Sequence, residues 1–243
     1  GLSAQGGLAV SPQTARTKTE AEGKQKPEDS KQRPVAKSKV YLLHSDLLRK
    51  DASHPDAQIV TGNVSFRHDS VYMYCDSACY YDKVSSFEAF GNVKMVQGDT
   101  LFLYGDRLYY DGLTQIAEMR CNVRMENRTT TLLTDSLNYD RVYNLGYFFD
   151  GGTLMDEQNV LTSEWGEYSP QTKQSVFNYN VKLVNPQFTL TSDTLRYNTA
   201  SKIADIVGPS DIWSDANHIY SEKGTYNTVT GKADLYDRSV LTN

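Results

Sequence analysis

Leu103-Tyr104-Gly105-Asp106-Arg107-Leu108-Tyr109-Tyr110-Asp111 places an acid four residues before a tyrosine, and the same phrase returns along the chain at an almost constant interval. Aligned on the acid, the copies fall at Asp46, Asp76, Asp106, Asp135, Glu164, Asp193 and Glu222, with spacings of 30, 30, 29, 29, 29 and 29 residues. Four positions later stand Lys50, Tyr80, Tyr110, Tyr139, Tyr168, Tyr197 and Tyr226. Three positions before the acid are Leu43, Met73, Leu103, Leu132, Leu161, Leu190 and Ile219; two positions after it are Leu48, Ala78, Leu108, Leu137, Gly166, Leu195 and Gly224. Self-similarity at a fixed period of this length marks stacked supersecondary units. Seven copies therefore predict one repeat-built domain over residues 40–243.

Each copy has two arms. Val71-Tyr72-Met73-Tyr74, Leu101-Phe102-Leu103-Tyr104 and Phe188-Thr189-Leu190-Thr191 are dense in residues that favour strands. The second arm carries a recurring Asn-Val, in Gly62-Asn63-Val64, Gly91-Asn92-Val93, Cys121-Asn122-Val123 and Asn180-Val181. Turn formers separate the arms at Asp111-Gly112, Ser169-Pro170, Asn198-Thr199 and from Asn227 to Gly231. No stretch shows a helical period with caps. The two apolar columns are five residues apart, an odd number, so on an unbroken strand they would face opposite sides. If both are buried, the strand must bulge or turn a corner beside the acid, and Gly105 is the residue expected to allow it. The chain is thus all-β, about fourteen strands folded over into two facing sheets, a body roughly 65 Å long at ~4.8 Å per strand. Periodicity alone leaves a parallel coil of about half that length open.

Composition narrows the function. Residues 1–39 hold eight Lys/Arg against four Asp/Glu and no aromatic residue, which predicts a disordered polar linker. The remainder holds 17 basic residues against 26 acidic ones, an unfavourable surface for nucleic acid. The opening Gly1-Leu2-Ser3-Ala4-Gln5-Gly6-Gly7 has the small residues that border a signal-peptidase site, as if an export signal had been removed. Cys75, Cys79 and Cys121 are odd in number, and His44, His54, His68 and His218 are scattered, so neither a disulfide framework, a metal site nor a catalytic triad is predicted.

The acids could suggest paired carboxylates, as in polysaccharide-cleaving β-helical enzymes. Seven equivalent acids at one bend instead predict structural groups that cap backbone N–H donors or stay solvated. The tyrosine column reads as a ladder of rings, with a sugar-binding platform as the rival. The apolar columns are either a dry core or a trough suited to an acyl chain.

The phrases Phe87-Glu88-Ala89-Phe90-Gly91-Asn92-Val93, Gly105 to Asp111 and Ser192-Asp193-Thr194-Leu195-Arg196-Tyr197-Asn198 resemble the OstA-like family, the organic-solvent-tolerance group, over about residues 40–241. The resemblance implies an antiparallel β-jellyroll folded like a taco, without enzymatic activity or cofactor. It also implies a periplasmic location in a Gram-negative cell, with lipopolysaccharide or lipid A acyl chains held between the sheets. Partners would be other OstA-like domains joined through edge strands, together with inner- and outer-membrane transport components. On that reading Leu103, Leu108, Leu132, Leu137, Leu161, Leu190, Leu195 and Ile219 face the lipid path. Gly166 and Gly224 depart from the apolar column, and Lys50 from the tyrosine column. The rival readings are a repeat adhesin or carbohydrate-binding rod with a dry core, and, third, a polysaccharide-cleaving enzyme.

Overall fold

A computed structural model describes residues 33–236 and 238–243, and those from Pro34 onward form one compact unit. The predicted linker falls outside the described residues up to residue 32. Its last part is tied down, because Ala36 donates its N–H to Leu113 O at 3.1 Å and Ser38 hydrogen-bonds His68.

The unit opens with a split arm, β1 (Tyr41–His44) and β2 (Leu47–Asp51). Six unbroken arms follow: β3 (His54–His68), β4 (Val71–Tyr81), β5 (Ser86–Gln97), β6 (Leu101–Asp111), β7 (Ile116–Asn127) and β8 (Thr130–Asp140). Two split arms come next, β9 (Leu145–Phe148) with β10 (Gly152–Asp156), and β11 (Asn159–Ser163) with β12 (Trp165–Tyr168). After the unbroken β13 (Gln174–Asn185) and β14 (Phe188–Asn198), three split arms remain: β15 (Ile203–Ile206) with β16 (Ser210–Ser214), β17 (Asn217–Ser221) with β18 (Lys223–Asn227), and β19 (Ala233–Tyr236) with β20 (Val240–Thr242). Every arm pairs antiparallel with the arms before and after it in sequence, which removes the parallel coil.

Each arm bends once, so the meander makes two leaves. β1, β10, β11, β16, β17 and β20, with the matching halves of the unbroken arms, form the first; β2, β9, β12, β15, β18 and β19 belong to the second. The register runs one apolar row through the first leaf: Leu42, Phe66, Met73, Met95, Leu103, Met125, Leu132, Leu154, Leu161, Leu183, Leu190, Ile212, Ile219 and Leu241. The leaves meet through these side chains. Phe66 stacks on Phe87 of the second leaf at 4.0 Å between centroids, and Phe188 lies 4.4 Å from Tyr226.

The corner stands beside the acid, as the odd column spacing requires, since Leu103 and Leu108 are both fully buried while Asp106 and Arg107 both face water. Its special geometry is not at Gly105, which lacks a left-handed φ. It lies in the Asn-Val phrase of the opposing arm, where Gly62-Asn63, Gly91-Asn92, Cys121-Asn122 and Tyr179-Asn180 all have positive φ and the ladder skips two residues. Asn tolerates that conformation and Gly adopts it freely, whereas other residues cost about 1–2 kcal/mol. The acids are bound there by side chains rather than capping a turn: Asn63, Asn92 and Asn122 donate Nδ2–H to Asp46, Asp76 and Asp106 at 3.1, 2.8 and 2.7 Å, and Asn180 donates to Glu164 at 3.0 Å. Asp135 does accept a backbone N–H, from Asn122. Most turn capping falls to the residue after the column tyrosine, with Asp111, Asp140, Asn198 and Asn227 each accepting two backbone N–H bonds.

The tyrosines do not stack on one another. In register, Tyr110, Tyr139, Tyr168, Tyr197 and Tyr226 alternate with Ala117, Gly146, Ser175, Ala204 and Ala233, so from Tyr139 onward each large ring has small cross-strand neighbours, while Tyr110 has Phe87 on one side and Ala117 on the other. Gly166 is likewise compensated: a Cβ there would sit 2.3 Å from the ring of Phe148, its fully buried cross-strand partner, which fills the missing volume.

Three stability tests follow from the corner and the packing. Cys121→Gly removes a left-handed cysteine and raises stability by about 1 kcal/mol in urea unfolding, with an unchanged slope. Gly91→Ala lowers it, because the new Cβ would lie 2.6 Å from Asp76 Oδ2. Gly166→Ala costs about 1–3 kcal/mol by overpacking, and a double-mutant cycle with Phe148→Leu shows the loss to be sub-additive.

Candidate functional site

Seven of the eight predicted interior residues, Leu103, Leu108, Leu132, Leu137, Leu161, Leu190 and Leu195, are at most 1% exposed and belong to one continuous apolar cluster. Ile219, near the last arm, is half-buried and packs against it. Six of the seven residues in the tyrosine column, all but Lys50, point into the same interior, which removes the sugar platform assigned to that column. The acids sit on the outer side of the corner, at one position per copy.

Opposite the corner, the turns of the two leaves approach each other and close the mouth. The second-leaf turns follow the tyrosines, so the hydroxyls reach the rim. The last residue of each arm that runs outward in the first leaf is polar, His68, Gln97, Asn127, Asp156 and Asn185, and three of them, His68, Asn127 and Asp156, bond the hydroxyls of Tyr110, Tyr168 and Tyr197. Those residues interrupt the apolar alternation with a polar group, a signal present in the sequence that the acid-based alignment overlooked.

Two clasps result. In the first, Arg141 donates to Tyr110 Oη at 2.9 Å and Gln97 Oε1 at 3.4 Å, and lies 3.8 Å from Asp69; Gln97 donates to Asn144 at 3.2 Å. Fully buried His68 contacts Tyr110 Oη and Arg141 through Nδ1 and Ser38 through Nε2. In the second, the fully buried carboxylate of Asp156 accepts from Lys202 Nζ and from Tyr197 Oη, both at 2.7 Å. Asn159 donates to Tyr197 Oη at 2.8 Å and Thr228 Oγ1 at 2.9 Å. Between the clasps, Asn127 donates to Tyr168 Oη at 2.9 Å, whereas the buried Tyr139 hydroxyl has only the Gln97 side chain beside it, outside good hydrogen-bond geometry. Burial pushes the Tyr139 phenol up to about 12 and that of Tyr197 higher still.

Open clefts lie elsewhere. One of about 520 Å³ lies at the corner between Asn122, Arg124, Asp135 and Gly152; another, of about 290 Å³, lies on the second leaf between Glu88, Arg107 and Glu118. Among the described residues no group of three or more His, Cys, Asp or Glu is placed to hold a metal ion.

Burial and the neighbouring Arg141 guanidinium hold the His68 imidazole below its ordinary pKa of 6.5, against weaker opposition from Asp69 and the Ser38 backbone. The unfolded chain therefore binds the proton more readily. The stability contributed by neutral His68 is complete above pH 6.5 and is lost as pH falls from there through the lowered folded pKa. Urea titrations between pH 7.5 and 5 should show this loss, and His68→Gln should flatten it.

The family described as OstA-like protein matches residues 37–193 of the chain. No curated protein matches it. Among solved structures, the chain is similar to LptH of Pseudomonas aeruginosa, described as the LptA-homologous periplasmic component of a lipopolysaccharide transport device. The identity is 14% and the TM-score 0.25, over 53% of this chain and 76% of that one.

Proposed function

The chain belongs to the OstA-like family, and from that premise we propose that it is a periplasmic lipid-binding module that carries lipopolysaccharide acyl chains between its leaves toward the outer membrane. The observation that supports this most directly is the unbroken apolar row from Leu42 to Ile219, one side chain per arm, in one cluster with the apolar side chains of the second leaf. Each methylene withdrawn from water gains roughly 0.8 kcal/mol, and a row without polar interruptions gives successive positions similar energies. Acyl chains then slide passively, and direction comes from partners at either end.

The two ends suit such partners. Among the described residues no strand pairs outside β1/β2 or outside β19/β20, and these outer strands are the ones offered to a partner. They also expose Leu43, Leu47 and Leu48 at one end and Tyr236, Val240 and Leu241 at the other. Strand addition by neighbouring OstA-like domains, and by transport components of the inner and outer membranes, would extend the apolar row from one molecule to the next.

A diazirine analogue of leucine at Leu132 or Leu161, with a control at the outward-facing Lys182, tests the reading directly. Irradiation with lipopolysaccharide should give adducts at both interior positions and none at the control. Absence of interior adducts in folded protein would leave the row as a dry core.

A further inference from the structure

We infer that the polar seam closing the mouth is the entry gate for the acyl chain, and that it opens by releasing the His68–Arg141 and Asp156–Lys202 clasps. The inference rests on the lipid-carrying reading and adds the route and its control. With seven of the eight column residues at most 1% exposed, no chain reaches the interior unless some boundary parts.

The corner is the wrong boundary. Eight of the arms pass through it without a break in the strand, and ladders flank it on both sides. The mouth is built differently: among the described residues no backbone-to-backbone hydrogen bond joins first-leaf turns to second-leaf turns, and the crossings are made by side chains. Such bonds can be exchanged for water or for a polar headgroup without unpairing a strand.

The second-leaf rim is also tied along its own length. Gly112 donates to Ser85 O at 2.9 Å, Arg141 to Gln115 O at 3.0 Å, Thr199 to Lys173 O at 2.9 Å and Thr228 to Lys202 O at 3.0 Å. Neighbouring second-leaf turns are thereby tied in two runs, and the clasps, with the Asn127 bonds to Tyr168 and Pro170 between them, are the points where the rim is held to the first leaf. Between them the buried Tyr139 hydroxyl meets only the Gln97 side chain, without a well-formed hydrogen bond, so the seam is weakest where it would begin to open. Opening frees Arg141 and Lys202 at the rim, two cations placed where an anionic headgroup attached to the inserted chains would lie.

A reversible lock tests the gate. In a background with Cys75→Ala, Cys79→Ser and Cys121→Ser, the pairs Gln97→Cys with Asn144→Cys and Glu157→Cys with Lys202→Cys span the mouth at positions whose native side chains lie 3.2 and 3.9 Å apart. A short bis-methanethiosulfonate bridges each pair, and reductant releases it. The probe is a palmitoyl chain bearing an environment-sensitive fluorophore. The expected result is uptake by wild type, faster uptake by the reduced variant, whose clasps are weakened by the loss of Gln97 and Lys202, and a signal at least tenfold slower or weaker in the bridged than in the reduced form. The first pair alone, which leaves Asp156 and Lys202 intact, should give a partial block. Equal uptake by bridged and reduced protein would overturn the gate and direct entry to the ends, leaving the carrier reading in place. No uptake by folded wild type would overturn the carrier reading itself, and the gate with it.

Discussion

The structure depends on a two-residue left-handed step that recurs where the arms bend. A strand alternates its faces, so an arm that stayed regular would bury one half of its apolar residues and expose the other. Skipping two residues of the ladder at Gly91-Asn92 or Cys121-Asn122 turns the chain from one leaf to the other while keeping both columns inward. Asn serves twice at this step: it accepts the left-handed backbone, and its amide bonds the acid on the preceding arm. The acid column thus marks the corner instead of a reaction centre.

Once the corners are fixed, the interior packing follows. Leu, Met and Ile line the first leaf, and tyrosines alternating with Ala, Gly or Ser line the second, so bulky rings lie over small neighbours with no need to stack. Where a copy loses its column residue, the adjoining arm supplies the volume, as Phe148 does over Gly166. A tyrosine brings a hydroxyl that must find a partner when buried. Its length carries that hydroxyl to the mouth, which is why the rim holds His68, Asn127 and Asp156 where alternation would otherwise place apolar residues. The seam is a consequence of using tyrosine as the core residue nearest the turn.

Interior and ends offer different chemistry. The interior is continuous, apolar and closed by side-chain bonds, whereas the outermost described strands expose aliphatic residues, Leu43, Leu47 and Leu48 at one end and Val240 and Leu241 at the other. The proposed carrier would use both: a path that does not trap its cargo, and junctions that keep the path continuous between molecules. The acidic outer surface does not enter this division of labour.

The sequence by itself determined the period, the strands and the presence of a corner, because those depend on local alternation and on residue spacing along one chain. It also pointed to the OstA-like family through phrases repeated in register. What it did not disclose was which residues make the corner: by spacing Gly105 is the natural hinge, yet the left-handed step belongs to Asn and its predecessor on the arm opposite, a pairing visible only once the register is known. The clasps were hidden for the same reason. His68 and Arg141, or Asp156 and Lys202, are separated by 73 and 46 residues and differ in type from copy to copy. Only tertiary structure, by folding the two leaves onto one another, decided that these groups meet across the mouth and satisfy the hydroxyls that the tyrosine column carries there.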